Sequence, residues 1–441
     1  MSFLRTSVSV IATQMLVAPV ALLTGVVLAR ALPVDDRGIY AAATELVGIL
    51  VIAIELGWAP TAIYRLRRAG IPPARVAGAA LWVTGMVTLI AWAACFALED
   101  GLRSRFLAGA DPIVLALAVA AIPFELAGLT FTGVARGLGR FDLHNAYRLG
   151  AAVLLLAGVG TALVFERHAA TALAGMLAAR ALAGSALIAA VLRESGLELR
   201  FPRTEIRQSL TFGFQSHLQQ ILVALHQRLD VLLIAWLSGD PASVAIYAVA
   251  VGVINRVRLL PMSIALAMFP TITGQDAAVA SRFTARVSRI SIALVVGTAL
   301  LLAPVAPVVV PLLFGREYGP SVAPLLVLLP ASVFLTPGLI LARYFTSRAK
   351  QPRCIAIMLV STALNVALNL LWIPGHGATG AAAASVVSYG LQFVLMLFVF
   401  SLESGTGVVE ATVLTREDLH TFGARLSAWW RRRGGAPGKP G

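Results

Sequence analysis

Apolar runs of about 20 residues, the length that crosses the hydrocarbon core of a bilayer, recur along nearly the whole chain. In lipid every backbone N–H and C=O must be satisfied within the segment or a closed barrel, so unbroken apolar runs of this length are helices. Their approximate limits are 7–32, 39–63, 75–98, 112–135, 146–165, 169–192, 208–237, 243–270, 287–314, 321–343, 353–373 and 378–402. The expected fold class is an all-α polytopic membrane protein with twelve transmembrane helices. With 59% hydrophobic and 13% charged residues, the chain lies far from a soluble profile. The first run is longer than the core of a cleavable signal and is read as a retained helix. Cys95 and Cys354 sit on different apolar segments. They suit core positions, not a disulfide framework or a metal cluster.

The formal charge of +14 does not point to nucleic acid, because the basic residues fall in short clusters between apolar runs and form no basic domain. Topology accounts for them. With the amino terminus on the cytoplasmic side, the inner loops and tail hold twenty-five Lys and Arg. The outer loops hold six, Arg30, Arg37, Arg103, Arg105, Arg167 and Arg316. That asymmetry predicts both termini inside. The domains expected are a first six-helix bundle over 1–192, a cytoplasmic linker over 193–207, a second six-helix bundle over 208–402 and a tail over 403–441.

Helix seven breaks the apolar pattern. Leu218, Ile221, Leu222, Leu225, Leu229 and Leu232 share one face, whereas Gln215, Ser216, His217, Gln219, Gln220, His226, Gln227, Arg228 and Asp230 occupy the rest. Charge within a bilayer is costly, so the polar side must face a bundle interior or a water-filled cavity. His217 and His226 project to opposite sides, so at most one of them faces a cavity. The other intramembrane charges are Glu45, Glu55, Glu125, Arg180, Arg256 and Arg258. Glu125 and Arg180 read as a structural pair within the first bundle. An internal repeat bears on the rest. Ile39-Tyr40-Ala41-Ala42-Ala43 opens helix two and Ile246-Tyr247-Ala248-Val249-Ala250 opens helix eight. An even number of helices per repeat relates the halves by an axis along the membrane normal, with a central cavity at their interface.

Four stretches stand out: Val27-Leu28-Ala29-Arg30-Ala31-Leu32 with Asp36-Arg37-Gly38-Ile39-Tyr40; Arg228-Leu229-Asp230 with Ile246-Tyr247-Ala248; Pro311-Leu312-Leu313-Phe314-Gly315-Arg316-Glu317-Tyr318; and Asn365 to Tyr389. Together they resemble bacterial polysaccharide, or O-antigen, flippases of the Wzx type. Leu32-Pro33-Val34 departs from the Leu-Gly-Pro common in that family. The resemblance implies two six-helix bundles with helices one, two, seven and eight lining the cavity. It implies movement of a polyprenyl-diphosphate-linked oligosaccharide to the outer leaflet of a bacterial cytoplasmic membrane. Lipid-II flippases and multidrug exporters share the architecture and stand as alternatives.

The chemistry of such a substrate selects candidate residues. Arg30, Arg228, Arg256 and Arg258 suit a diphosphate through charge-assisted bonds. His217, Gln220, Gln227 and Asn255 suit sugar hydroxyls. Glu45, Glu55 and Asp230 are candidates for coupling to a proton or sodium gradient, or for ion pairing with the arginines. No bound cofactor is expected. Beyond the lipid-linked glycan and membrane lipids, the expected partners are polysaccharide polymerases and glycosyltransferases. A membrane ligase or polymerase is disfavoured by short outer loops, and an ATP-driven pump by the lack of a nucleotide-binding glycine loop; a scaffold leaves the cavity charges unexplained. Trp58 is expected as an interfacial anchor. In the tail, Thr415 and Asp418 resemble a helix start, followed at helical spacing by Leu419, Phe422, Leu426 and Trp429 and by Arg431-Arg432-Arg433. That pattern predicts an amphipathic helix on the inner leaflet.

Overall fold

The computed structural model describes residues 2–201, 203, 206–207, 214–259, 261–263, 268, 272, 275–416 and 418. The expected amphipathic helix beyond Asp418 lies outside them. Helices account for nearly all of the described residues, and no strand occurs among them. The first half comprises α1 (Ser2–Ala31), α2 (Val34–Ile54), α3 (Trp58–Arg67), α4 (Pro73–Ala97), α5 (Glu99–Phe106), α6 (Pro112–Ala120), α7 (Ile122–Leu138), α8 (Phe141–Phe165) and α9 (Ala169–Ser195). The second comprises α10 (Phe214–Ser238), α11 (Pro241–Val257), α12 (Ala277–Phe314), a 3-10 turn (Arg316–Ser321), α13 (Val322–Ser347), α14 (Gln351–Ser404) and α15 (Val408–Thr412).

Ten of the described helical segments are long and apolar enough to cross a membrane. The longest, α14, has 54 residues and would extend about 80 Å if straight, far more than one crossing needs. Gly377, with φ 51° and ψ −133°, divides it into two arms. The short α11 is a further apolar helix of 17 residues.

Two departures from the expected limits matter for the site. First, α2 begins at Val34 instead of 39, because Pro33 fixes an extended entry (φ −52°, ψ 151°) and Asp35 and Asp36 favour the positive end of the helix dipole. Arg37, expected in an outer loop, is therefore in the first turn of a helix. Second, the crossing that contains α2 is broken, with Leu56 (φ 54°) and Gly57 (φ 68°) both left-handed. Glu55 stabilises the break. Its carboxylate accepts from the Gly57 N–H at 3.0 Å and the Ala59 N–H at 2.6 Å, satisfying donors at the start of α3. Trp58, expected at the interface, is instead fully buried here, with the Arg65 guanidinium 5.4 Å above its ring.

Within the first half, α8 packs on α9 and α1, and α3 on α7; within the second, α13 and α10 pack on α14. The halves meet most extensively at α2, which packs against both α10 and α11. Its first turns meet α11 so closely that a Cβ at Gly38 would sit 1.8 Å from the Pro241 carbonyl oxygen. No side chain fits there. Thr415 and Asp418 exchange the reciprocal bonds of a capping box: the Thr415 N–H donates to the carboxylate at 3.2 Å and the Asp418 N–H donates to the Thr415 hydroxyl at 3.3 Å.

Candidate functional site

Between the halves lies a cavity of about 400 Å³. Its charged lining comprises Arg37 and Glu45 from α2, Glu125 from α7, Arg180 from α9, Arg228 from α10 and Arg256 from α11. Thr24 from α1, with Tyr40 and Thr44 from α2, adds hydroxyl groups. The helices α7, α8 and α9 thus contribute as well, through Glu125, Leu155 and Arg180. The lining therefore extends beyond the helices one, two, seven and eight that the resemblance implied.

The charges are organised into pairs and a remainder. Arg228 Nη1 donates to Glu45 Oε2 at 2.7 Å, joining α10 to α2 across the interface. The guanidinium lies over a glycine: a Cβ at Gly48 would be 2.9 Å from Arg228 Nη1. Arg180 and Glu125 pair at 2.7 Å, as expected, although on the cavity wall and not away from it. Arg256 donates through Nη1 to the Gly252 carbonyl of its own helix. Arg37 lies 5.8 Å from the Tyr40 ring centroid, and its buried Nε has no hydrogen-bond partner. Neither Arg37 nor Arg256 belongs to an ion pair among the described residues. A wall carrying four arginines and two glutamates therefore presents two positive charges in excess, which suits a ligand with at least two negative charges.

Several residues expected here are elsewhere. Arg258, Gln227 and Asn255 converge on a separate pocket inside the second half. Arg256 and Arg258 are two positions apart on one helix and point about 200° apart, so they cannot share a cavity. Arg30 is drawn to the end of α12, where it donates to the carbonyls of Leu312 and Leu313, the latter at 2.8 Å. Those carbonyls have no intrahelical partner, and a guanidinium is well suited to them. His217 is buried with Nε2 3.0 Å from the Ala53 carbonyl oxygen and Nδ1 3.9 Å from Glu55 Oε2. His226 is also buried, against Thr362 and Tyr389, so neither histidine faces the cavity. Gln220 is exposed and donates to the Ser216 carbonyl at 3.4 Å.

Asp230 is 2% exposed and belongs to the interior of the second half. It accepts from Asn369 Nδ2 at 2.8 Å, from the Tyr247 hydroxyl at 2.8 Å and from the Ser385 hydroxyl. Asn369 also donates to Asn365 Oδ1 at 3.0 Å, and Asn365 donates to the Ser388 hydroxyl at 3.2 Å. The polar side of α10 is thus shared between two destinations. Arg228 goes to the cavity, and Asp230 goes to α14.

Sequence reasoning missed Arg37, Tyr40 and Thr44 as cavity residues. The Pro33-Val34-Asp35-Asp36 run, a helix start with acids in its first turn, was the available signal for Arg37. Tyr40 and Thr44 then follow on the same face at helical spacing.

Comparison with known proteins agrees with this architecture. Residues 3–274 match the family model described as polysaccharide biosynthesis protein. No curated protein matches the sequence. Among solved structures, the lipid II flippase MurJ in an inward closed conformation aligns with TM-score 0.74 at 11% identity, over 91% of this chain and 90% of that one. An inward-facing multidrug resistance MATE transporter of the MOP superfamily aligns with TM-score 0.73 at 16% identity, over 90% and 98%. A MOP superfamily transporter from Pyrococcus furiosus, whose binding pocket is described as of reverse polarity, aligns with TM-score 0.66 at 12% identity, over 92% and 95%. At these identities the likeness establishes the fold, which is that of MOP superfamily transporters.

Proposed function

From the premise that this chain belongs to the polysaccharide biosynthesis protein family, we propose that it is a flippase. Its cargo is a polyprenyl-diphosphate-linked oligosaccharide, moved from the inner to the outer leaflet of the bacterial cytoplasmic membrane for cell-surface polysaccharide assembly. The observation that carries this reading is the cavity between the halves with Arg37 and Arg256 outside any described ion pair. A diphosphate supplies the missing negative charge, and guanidinium groups bind it through bidentate, charge-assisted bonds. Thr24, Thr44 and Tyr40 offer hydroxyls to the first sugars. The polyprenyl tail stays in lipid.

Movement follows from the bundle interface. The two halves rock about the cavity, and the α2–α11 contact at Gly38 and the Arg228–Glu45 bridge must be remade as they do so. Coupling is assigned to the carboxylates of α2 and α10 and to the one that ends α2. Asp230 lies among Asn365, Asn369, Ser385 and Ser388, and Asn369 Oδ1 is buried with no hydrogen-bond partner. An oxygen-rich set of this kind suits a hard monovalent cation such as sodium. Glu45 and Glu55 are the candidates for proton coupling, each tied to a contact between the halves. Polymerases and glycosyltransferases that consume or supply the glycan are the expected partners, and both termini are placed on the cytoplasmic side.

The test is translocation of a fluorescent polyprenyl-diphosphate sugar in liposomes containing the purified protein, with and without proton and sodium gradients. Gradient-responsive flipping that fails in R256Q supports the assignment. A lipid II-type substrate preferred over other glycans makes the chain a lipid II flippase. Efflux of a cationic dye without lipid flipping makes it a multidrug exporter, a reading that the excess of arginine in the cavity opposes.

A further inference from the structure

Arg258 is not explained by the central cavity. It is 8% exposed, in the interior of the second half, and its Nε has no hydrogen-bond partner. Its other contacts are long: Nη1 is 3.5 Å from Asn255 Oδ1, and Nη2 is 3.4 Å from Gln227 Oε1. No carboxylate pairs with it among the described residues. The chain from Leu259 to Gln275 that follows it contains no acid. Of the buried acids of the same half, Asp230 is already held by Tyr247, Asn369 and Ser385, and Asp418 by Arg286 and Arg289. A guanidinium cannot shed its charge as a lysine can, and a buried charge without a partner is among the most costly features a fold can carry.

The guanidinium faces a small pocket of about 20 Å³, walled by Gln227, Asn255, Ser332 and the rings of Tyr247 and Tyr389. A site needs roughly 10–15 Å³ by this measure to hold one water. A single water- or halide-sized particle fits, whereas a phosphate or a sugar does not. Turning either amide end for end directs its NH₂ group to the place now facing the oxygens, which gives the pocket further donors. We propose that this pocket binds a small monovalent anion, chloride under ordinary conditions. Arg258 is its charge partner, and the side-chain amides of Gln227 and Asn255 are its remaining donors. The site is separate from the central cavity and does not depend on which cargo is flipped. It serves as an internal counter-ion that allows α10, α11, α13 and α14 to pack around a permanent cation.

The experiment is thermal unfolding of the purified full-length protein in detergent, with chloride replaced by gluconate at constant ionic strength, and then by bromide. Chloride and bromide raise the melting temperature of the wild type, in a saturable manner, and gluconate does not. N255D places a fixed carboxylate beside Arg258, so the protein folds without the ion and its melting temperature no longer responds to chloride. R258Q loses the response as well; if that variant does not fold, N255D decides alone. R256Q, which alters the central cavity, keeps the wild-type response. The inference is overturned by a wild type indifferent to chloride, by an N255D that responds as the wild type does, or by a response lost in R256Q.

Discussion

Arg37 and Arg256 are the residues on which the substrate assignment turns, because they are the cavity cations left outside the two ion pairs. A hydrogen bond to a charged group contributes about 1.5–3 kcal/mol, so R37Q and R256Q should each slow flipping by roughly 10- to 100-fold. Melting temperature and detergent elution profile should stay near wild type, since neither change breaks an ion pair. Glu45 and Arg228 make a different prediction. They meet across the interface at 2.7 Å, so E45R or R228E alone should impair transport, and the E45R/R228E double reversal should recover much of it. Recovery measured at matched expression checks the contact. Much of this chemistry was legible in the sequence: Arg228, Arg256 and Glu45 were recognisable as charges too costly to face lipid. The destination of each side chain was not. Arg258 differs from Arg256 by only two positions, yet a rotation of about 200° sends it into the second half.

At the scale of elements, the breaks and ends of helices carry the testable content. Glu55 caps α3 through the Gly57 and Ala59 N–H groups. E55A leaves buried donors unpaired and should cost about 1–2 kcal/mol, read as a lower melting temperature, while E55Q, which keeps an acceptor oxygen, should lose less. The capping-box carboxylate of Asp418 also accepts from Arg286 at 3.0 Å and from Arg289, and Arg289 donates to the Glu410 carbonyl at 2.8 Å. The tail is thereby fastened to the start of α12. The hydrogen bonds from Arg289 hold the Asp418 carboxyl below the ordinary carboxylate range. A depressed folded value means that the stabilisation is complete above the unfolded value of about 3.9 and is lost as pH falls from there toward the folded one. Neutral pH therefore keeps the tail docked. D418N should undock it at neutral pH, seen as faster tryptic cleavage after the exposed Arg416 than in the wild type. The Thr415–Asp418 spacing made this helix start visible in the sequence, whereas its arginine partners, more than 120 positions away, were not. The α2 break was equally hidden, because it depends on a left-handed Leu56 that no local signal requires.

For the molecule as a whole, the apolar runs, the loop charges and the repeat were enough to predict a helical membrane protein of two similar halves. The interface between those halves is set by contacts that single-helix patterns do not encode. Gly38 against Pro241 and Gly48 beneath Arg228 are examples, each a position where a partner from the other half occupies the space of a side chain. The polar face of α10 was legible as facing a bundle interior or a cavity, but not which residue goes to which, because its second partner, the Asn365–Ser388 region of α14, lies more than a hundred residues away. The central claim is that this cavity carries a diphosphate-linked lipid across the membrane. Its most direct test compares wild type, R37Q and R256Q for flipping of a fluorescent polyprenyl-diphosphate sugar in liposomes at equal protein content. The account predicts protein-dependent flipping by the wild type and a loss of at least roughly 10-fold in each variant. Equal flipping by all three proteins, or none by a folded wild type under any gradient, would contradict it.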